Sequence, residues 1–254
     1  MTVLDLFKLD GQAALVTGGD KGLGQGMAIA LAEAGVDVAI VSRSGNNDVT
    51  LRAIEAAGRR AFGFTADLGD HDAAVATVEQ AAQAMGRLDI LVNNAGMVHR
   101  APAAETEWAN FTRVLDVNML AVWAMSQTAG QIMLAQGHGK IINIASLLSF
   151  QGGILVPAYT AAKHAVAGMT KALANEWAGR GVNVNAIAPG YMATDNNQAL
   201  RDDPVRSRQL MERIPAGRWG APEDLAGTVV YLASRASDYV HGHVLVVDGG
   251  WMAR

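Results

Sequence analysis

The chain has 254 residues, of which half are hydrophobic and 17% are charged, and it contains no cysteine. A chain of this length can bury one large core, and its formal net charge of −4 is too small for intrinsic disorder. The missing cysteine excludes disulfides and thiolate-bound zinc. The slight acidic excess gives no general attraction to nucleic acid or to anionic membranes.

Short runs of β-branched residues alternate with alanine-rich helical stretches along the chain. Predicted strands lie at residues 13–17, 37–41, 60–65, 90–93, 140–144, 183–188 and 244–247. Predicted helices lie at about residues 23–34, 47–57, 70–85, 107–120, 122–136, 159–178, 200–213 and 222–234. Strands that are apolar throughout are buried on both faces, and helices between them require parallel crossovers. The sequence therefore predicts an α/β fold: one doubly wound domain, residues 1–254, with a seven-stranded parallel sheet.

No membrane, secretory or metal-binding segment is predicted. The two uncharged stretches, residues 117–137 and 141–162, are interrupted by polar residues, proline or glycine. The first eleven residues carry three charges and no apolar run, so no signal peptide is expected. The six histidines show neither an H-E-x-x-H motif nor a facial-triad spacing. We expect a cytoplasmic protein that holds no metal and binds neither membranes nor nucleic acid.

A cluster of glycines follows the first predicted strand. Thr17 is followed by the run GGDKGLG at residues 18–24. Glycines here let backbone N–H groups approach a pyrophosphate at a helix N-terminus, although a plain strand–helix turn also uses glycine at positive φ. The spacing is not G-x-G-x-x-G. The pattern Gly18-x-x-x-Gly22-x-Gly24 instead resembles the T-G-x-x-x-G-x-G motif of the short-chain dehydrogenase/reductase family.

The other signatures of that family follow in order. They are Asn93-Asn94-Ala95-Gly96 after the fourth strand, Asn118, Ser146 after the fifth strand, Tyr159-x-x-x-Lys163, and Pro189-Gly190 after the sixth strand. The resemblance covers essentially the whole chain. It implies a Rossmann fold and hydride transfer between a nicotinamide cofactor and a carbonyl or alcohol group of the substrate.

Tyr159 and Lys163 are four residues apart on a predicted helix, so their side chains lie on one face. Such a pair can also be a solvated surface pair, but Ser146 and the strand-end position favour catalysis. A free tyrosine has a pKa near ~10, which a nearby ammonium lowers. We expect Tyr159 to be the general acid or base, with its pKa lowered by Lys163. Ser146 would donate a hydrogen bond to the substrate oxygen.

The resemblance implies two further roles at this centre. Lys163 would also hold the ribose of the nicotinamide, and Asn118 would position a water that links Lys163 to solvent. A buried asparagine can also simply cap a kink in a helix, and that structural role is compatible with the implied one.

The choice between NAD and NADP depends on the end of the second strand. NAD enzymes place an acidic residue there, about 20 residues after the glycine turn. This chain has Arg43 and no acid, and Arg43 and Lys21 can bind a 2′-phosphate, although Arg43 can also be a solvated side chain. We expect NADP(H), with NAD(H) as the alternative. The resemblance adds the cofactor-binding candidates Gly18, Gly22, Leu23, Gly24, Asp67, Leu68, Asn94, Tyr159, Lys163, Pro189, Gly190 and Met192.

Several segments from residue 146 onward resemble a subgroup of the family that acts on keto sugar acids. They are residues 149–153, 173–178, 183–194, 213–220, 236–239 and 248–254. This resemblance implies a substrate of the 2-deoxy-D-gluconate, 3-deoxy keto-gluconate or deoxy hexulose uronate type. A sugar acid needs a cation for its carboxylate and polar partners for its hydroxyls. Arg100 and Gln151 are the candidates beside Ser146 and Tyr159, although either can be an ordinary rim residue. Residues 192–213 resemble the substrate lid of the family.

Two other functions stay open. A 3-oxoacyl-(acyl carrier protein) reductase shares the catalytic residues but needs a basic surface for its acidic carrier, and residues 117–139 contain no arginine or lysine. The second is a non-catalytic dinucleotide-binding sensor, against which the presence of Ser146, Tyr159 and Lys163 argues.

The predicted helices at residues 122–136 and 159–178 carry few charges for solvated surfaces. One face of each packs on the sheet, and an uncharged second face favours a protein partner. In the family the corresponding helices pair across one two-fold axis and the C-terminal strand forms a second two-fold contact, which implies a homotetramer with D₂ symmetry. Trp251 is then expected to be buried near a neighbouring subunit.

Overall fold

Seven parallel strands form one sheet in the computed structural model, which describes residues 2–194 and 197–254. The strands β1 to β7 are Ala13–Thr17, Asp37–Ser42, Ala61–Thr65, Ile90–Asn93, Gly139–Ile144, Val182–Pro189 and Val244–Val247. They lie in the order β3-β2-β1-β4-β5-β6-β7. The predicted α/β fold with a seven-stranded parallel sheet is confirmed.

Helices connect the strands and cover both faces of the sheet. The helices α1 to α9 are Gly22–Glu33, Asp48–Ala56, His71–Met85, Trp108–Leu115, Ala121–Gln136, Pro157–Trp177, Gln198–Asp202, Pro204–Arg213 and Ala226–Ala233. Among the described residues, none of these helices combines the length and the apolar character needed to cross a bilayer.

The core consists of two apolar layers, one on each face of the sheet. Ala14 and Val16 of β1 pack into the layer under α1 and α9, whereas Ala13 and Leu15 pack into the layer under α3, α5 and α6. Successive side chains of a strand point to opposite faces, so a strand covered on both faces is apolar at every position. The continuous burial of β1 matches that expectation.

The single helix predicted at residues 200–213 is two helices in the structure, α7 and α8. Asp203 separates them, and its carboxylate accepts hydrogen bonds from the backbone N–H groups of Val205 (2.9 Å) and Arg206 (3.0 Å). Pro204 occupies the first position of α8, where proline lacks only an N–H that would be unpaired in any case. The capping residue and the proline were visible in the sequence and explain the break.

Candidate active site

The predicted site residues lie at the carboxyl ends of the strands. Strand order reverses between β1 and β4, and ligands of doubly wound sheets bind at such a switch point. The glycine turn follows β1, Asn94 follows β4, and Ser146 comes two residues after the end of β5. Because parallel strands end at the same edge, these distant parts of the sequence meet there.

Three glycines of the turn after β1 are set by backbone conformation or by close packing. Gly18 and Gly22 have positive φ angles of 61° and 55°. A Cβ atom on Gly24 would lie 2.0 Å from the carbonyl oxygen of Gly18. Only glycine therefore lets α1 begin so close to β1, with the unpaired N–H groups of its first turn above the loop. This cradle fits the pyrophosphate of a dinucleotide.

Asn94 holds the glycine turn in place. Its side-chain amide donates to the carbonyl oxygens of Thr17 (2.8 Å) and Gly18 (3.2 Å). The Thr17 hydroxyl oxygen in turn accepts from the backbone N–H groups of Asn94 (2.9 Å) and Ala95 (2.8 Å). The resemblance made Asn94 a cofactor-binding candidate, and in the structure its side chain positions the turn that would hold the cofactor.

Ser146, Tyr159 and Lys163 meet beside the end of β5. Helix α6 begins at Pro157, so Tyr159 lies in its first turn and Lys163 one turn further on. Lys163 is only 3% exposed, and its Nζ donates to the carbonyl oxygen of Ile144 at 2.5 Å. That Nζ lies 5.5 Å from the centroid of the Tyr159 ring. The three polar groups predicted from sequence therefore share one small region.

Ser146 is oriented by its own backbone neighbours. Its Oγ accepts a hydrogen bond from the N–H of Leu148 at 3.2 Å, which leaves the hydroxyl hydrogen available for donation. Ser146 also hydrogen-bonds Tyr159 through their side chains. Ser149 supports the same corner, because its hydroxyl donates to the carbonyl oxygen of Lys163 at 2.7 Å. A substrate oxygen placed between Ser146 and Tyr159 would contact two hydroxyl groups.

The electrostatics of the centre differ from the sequence expectation. Burial lowers the pKa of Lys163 to about 8. Burial also raises the pKa of Tyr159, opposed by the hydrogen bond from Ser146 and by the charge of Arg100. The expectation that Lys163 lowers the tyrosine pKa is wrong for this structure, because desolvation outweighs the nearby charges. The Lys163 ammonium is itself directed to the Ile144 carbonyl.

Asn118 is fully buried in a π-helical turn, Asp116–Leu120, which joins α4 to α5. Its side-chain amide donates to the carbonyl oxygens of Val114 and Met97, both at 2.9 Å, and its oxygen accepts from the Met97 N–H at 3.3 Å. In an α-helix the backbone N–H of Asn118 would donate to the carbonyl oxygen of Val114. Here the side-chain amide of Asn118 donates to that oxygen instead, as the wider π-helical turn allows. The helix predicted at 107–120 is therefore irregular, and the water-positioning role of Asn118 stays a prediction.

Arg43 lies exposed at the end of β2, next to the glycine turn. No hydrogen bond or ion pair to another residue of the described ranges 2–194 and 197–254 occupies its guanidinium.

Asp67, after β3, is ion-paired with Arg113 at 2.6 Å. The hydrogen bond from Arg113 lowers the pKa of Asp67, and the charge of Arg43 acts in the same direction. Leu68 beside it is buried. The ion pair and this burial together hold the loop after β3 in place near Arg43.

The loop after β6 packs against the loop after β7. A Cβ atom on Gly190 would lie 2.6 Å from the Cα of Asp248, so the two backbones need glycine at this point. Pro189 and Met192 are buried on either side of it. A cavity of about 220 Å³ lies between the two loops. The cofactor contacts implied for Pro189, Gly190 and Met192 stay predictions.

The two substrate candidates differ in exposure and in the groups that they affect or contact. Arg100 is exposed, and its charge acts on the Tyr159 phenol. Gln151 is half-buried, and its Oε1 accepts a hydrogen bond from the indole Nε1 of Trp251 at 3.2 Å. Sequence reasoning missed Arg213, whose guanidinium carbon lies 4.1 Å from the centroid of the Trp251 ring. No local signal marks this arginine, because its partner is 38 residues away.

Comparison with known proteins gives close full-length matches. The family model described as enoyl-(acyl carrier protein) reductase matches residues 18–252. The chain is 54% identical to a 2-dehydro-3-deoxy-D-gluconate 5-dehydrogenase of Dickeya dadantii, over 99% of this chain and 100% of the relative. It is 53% identical to a protein of the same name from Bacillus subtilis, over 98% of each chain.

A solved structure agrees over the full length. The crystal structure of a gluconate 5-dehydrogenase from Burkholderia cenocepacia in complex with NADP and tartrate has a TM-score of 0.95 and 39% identity. The match covers 100% of both chains. The order of the strands and the turns at their carboxyl ends therefore belongs to an arrangement that related chains also adopt.

Proposed function

This chain belongs to the short-chain dehydrogenase/reductase family, and we propose that it transfers a hydride between NADP(H) and a keto or hydroxy sugar acid. The observation that carries the proposal is the meeting of Ser146, Tyr159 and Lys163 at the carboxyl edge of the sheet. The identity of 54% to a 2-dehydro-3-deoxy-D-gluconate 5-dehydrogenase supports the substrate class.

The residues of the switch point fit a dinucleotide. The backbone of Gly18, Gly22 and Gly24 would lie against the pyrophosphate, and Lys163 would hold the nicotinamide ribose. Arg43 would bind the 2′-phosphate through its open guanidinium, and Lys21, the residue before α1, is the second candidate. When bound, the reduced cofactor supplies a hydride to the substrate carbonyl carbon.

The side chains of the centre would stabilise the charge on the substrate oxygen and transfer a proton to it. Ser146 donates a hydrogen bond to the carbonyl oxygen as negative charge develops there. Tyr159 transfers its phenolic proton to that oxygen, and the Ser146 hydroxyl and the charge of Arg100 favour the phenolate that remains. Burial raises the pKa of Tyr159 and so favours the protonated phenol, which is the form that carbonyl reduction uses. In alcohol oxidation the phenolate would accept the proton instead.

The two rival functions have less support. Helix α5 carries no basic residue for an acidic carrier protein, and its exposed face presents Trp123 together with uncharged Gln127 and Gln131. A silent sensor would not require the Ser146 hydroxyl, the Tyr159 phenol and the Lys163 ammonium to be brought together. These observations favour a sugar-acid enzyme over both.

Absorbance at 340 nm separates the three functions. Purified protein would be mixed with NADPH or NADH and with 2-dehydro-3-deoxy-D-gluconate, 5-keto-D-gluconate or a 3-oxoacyl thioester. We expect turnover of a keto sugar acid, faster with NADPH than with NADH at equal concentrations. Turnover of the thioester alone would make the protein a 3-oxoacyl reductase. Cofactor binding without turnover of any of these compounds would favour the sensor.

We also propose that the chain forms a homotetramer in the cytoplasm, where the nicotinamide cofactors are available. The apolar side chains of Leu120 and Trp123 are 49% and 40% exposed at the start of α5, which favours a protein partner there. Trp251 does not contribute to this argument, because Tyr191 and Arg213 of its own chain already cover it. Light scattering should give four times the chain mass, and a stable monomer at micromolar concentration would contradict the tetramer. Cell fractionation tests the location.

A further inference from the structure

The turn Trp251–Ala253, which follows β7, is tightly fixed against α8. The Asp248 carboxylate accepts hydrogen bonds from the backbone N–H groups of Gly250 (2.8 Å) and Met252 (2.7 Å). The Ala216 N–H donates to the carbonyl oxygen of Gly249 at 2.9 Å, which links this turn to the chain just after α8. As a result the Trp251 side chain is only 5% exposed.

Trp251 contacts three segments that border the reaction centre. Its indole Nε1 donates to Oε1 of Gln151, on the loop that follows Ser146. Its ring lies under the guanidinium of Arg213, the last residue of α8. Its ring centroid is also 4.6 Å from that of Tyr191, on the loop after β6. Trp251 therefore connects the catalytic loop to the lid helix.

An apolar cluster places this connection beside Ser146. Leu147, the residue that follows Ser146, packs in one cluster with Leu210 and Ile214 at the end of α8 and with Trp251. The end of the lid is thus held next to the catalytic serine by buried hydrophobic contacts. Gln151 and Arg213, which both contact Trp251, therefore lie on segments that adjoin the loop of Ser146.

Gln151 and Arg213, which both contact Trp251, have hydrogen-bond donors left to bind a ligand. Gln151 has its carbonyl oxygen engaged by the indole, so its Nε2 group is the part left to contact a ligand. Arg213 lies against the aromatic ring, and in the described part of the chain its guanidinium forms no hydrogen bond or ion pair. An amide N–H₂ and a guanidinium together suit an anionic group that is rich in oxygen.

We propose that Trp251 positions Arg213 and Gln151 as the pair that binds the carboxylate of the sugar acid. This inference rests on the proposed function and names the part of the site that would recognise the charge of the substrate. Arg100 is then left to act on the reacting end of the substrate, because its charge acts on the Tyr159 phenol. Arg213 and Gln151 would be substrate-binding residues, whereas Trp251 would be a positioning residue.

Arg213→Gln tests the charge recognition, with Arg208→Gln, an exposed arginine of the same helix, as the matched control. The substrates are 2-dehydro-3-deoxy-D-gluconate and its uncharged methyl ester. For the acid, we expect Arg213→Gln to raise KM by about 10- to 100-fold, as for a lost charge-assisted hydrogen bond, with kcat changed less than about threefold. KM for the ester should stay within about twofold, and Arg208→Gln should leave both values unchanged.

Trp251→Phe tests the positioning, because it keeps an aromatic ring under Arg213 and removes the N–H that holds Gln151. We expect KM for the acid to rise about 3- to 10-fold, the effect of one hydrogen bond. Gln151→Ala should raise KM similarly, and the double variant should be no worse than Gln151→Ala alone, because both changes remove one interaction. Trp108→Phe, at an exposed tryptophan stacked on Phe111, is the control. The Kd for NADPH and the melting temperature report whether each variant is folded.

The outcomes separate this inference from the proposed function. A wild-type protein that turns over no sugar acid would overturn the proposed function itself. Turnover by the wild type, with KM for the acid unchanged in Arg213→Gln, would overturn only the carboxylate assignment. An equal rise in KM for acid and ester would do the same. Additive effects in the double variant would overturn the positioning role of Trp251. Arg213 is exposed and Gln151 half-buried, so these two variants stay informative if Trp251→Phe does not fold.

Discussion

The reaction centre and helix α8, the end of the lid expected at residues 192–213, lie at the same edge of the sheet but are built in opposite ways. In the reaction centre, Lys163 is buried and bonded to the backbone at the end of β5. In the lid, Arg213 is exposed and held by the face of one aromatic ring. The chemistry is thus attached to the rigid sheet, whereas recognition depends on segments packed on top of it. A change in the lid can alter the substrate without disturbing the proton donor.

Lys163 and Arg213 also differ in the free-energy cost of holding a positive charge. Lys163 is kept away from water, and its lowered pKa shows that its charged form is destabilised there. Arg213 keeps contact with solvent and incurs no such cost. Burial of the Lys163 charge therefore lowers the free energy of unfolding, whereas the exposed charge of Arg213 does not. Four substitutions test this contrast, from the largest expected effect to the smallest.

Tyr159→Phe should abolish most turnover while the rest of the centre stays intact. The phenolic proton is lost, and loss of a general acid lowers kcat by ~10²-fold or more. The ring and the contact from Lys163 to Ile144 remain, so the Kd for NADPH, measured by fluorescence titration, should change less than about twofold. Tyr239→Phe, at a fully exposed tyrosine, is the control. A Tyr159→Phe enzyme that keeps more than a tenth of the wild-type kcat would refute the assignment.

Lys163→Met should stabilise the fold at neutral pH although it removes a catalytic group. The pKa falls from 10.5 to about 8 on folding, so below pH 8 the folded chain carries a penalty of about 3 kcal/mol. Between pH 8 and 10.5 the unfolded chain binds a proton that the folded chain has released. The free energy of unfolding of the wild type should therefore rise with pH through this window.

Urea unfolding at pH 7 and pH 10 measures this effect. The advantage of Lys163→Met over the wild type should be up to about 3 kcal/mol at pH 7 and clearly smaller at pH 10. Lys171→Met, on the exposed face of the same helix, should stay within about 0.5 kcal/mol of the wild type at both values. An advantage independent of pH would mean that the Lys163 charge is not destabilised by burial.

Arg43→Ala should weaken NADPH binding more than NADH binding, because only NADPH carries the extra phosphate. Loss of a charge-assisted hydrogen bond predicts a rise of about tenfold in the Kd for NADPH, with less than a twofold change for NADH. Fluorescence titration measures both constants. The control is Arg52→Ala, at an exposed arginine on α2. Equal changes for the two cofactors, or tighter binding of NADH by the wild type, would disprove the role of Arg43.

Asp203→Ala should loosen the lid and leave the reaction centre unchanged. It removes the N-cap of α8, which costs about 1 kcal/mol of helix stability. Hydrogen exchange should become faster at the backbone amides of α8 that follow Pro204 and stay the same in α6. Asp202→Ala, at the neighbouring carboxylate that bonds the Gln198 side chain, is the control. Faster exchange in both helices would show that the lid and the centre unfold together.

The sequence alone determined the features that depend on local spacing. The alternation of apolar runs and helical stretches predicted all seven strands of the sheet. Burial on both faces explains the continuous apolar runs of the inner strands, whereas the edge strands β3 and β7 are partly exposed. The close approach of β1 and α1 required glycine at position 24, which the motif already contained. Tyr159 and Lys163 share a helix face because they are four residues apart. The position of Arg43 at a strand end also followed from the pattern.

Only the tertiary structure decided the features that depend on burial and on distant partners. The π-helical turn at Asn118 needed the Met97 carbonyl, which comes from the loop after β4. The shifted pKa values of Tyr159 and Lys163 arise from desolvation, which no local pattern reports. Trp251 meets Gln151, 100 residues away, because the loops after β5 and β7 are packed together. Local propensity acts over a few residues, whereas charge, solvent access and recognition depend on what the fold brings into contact.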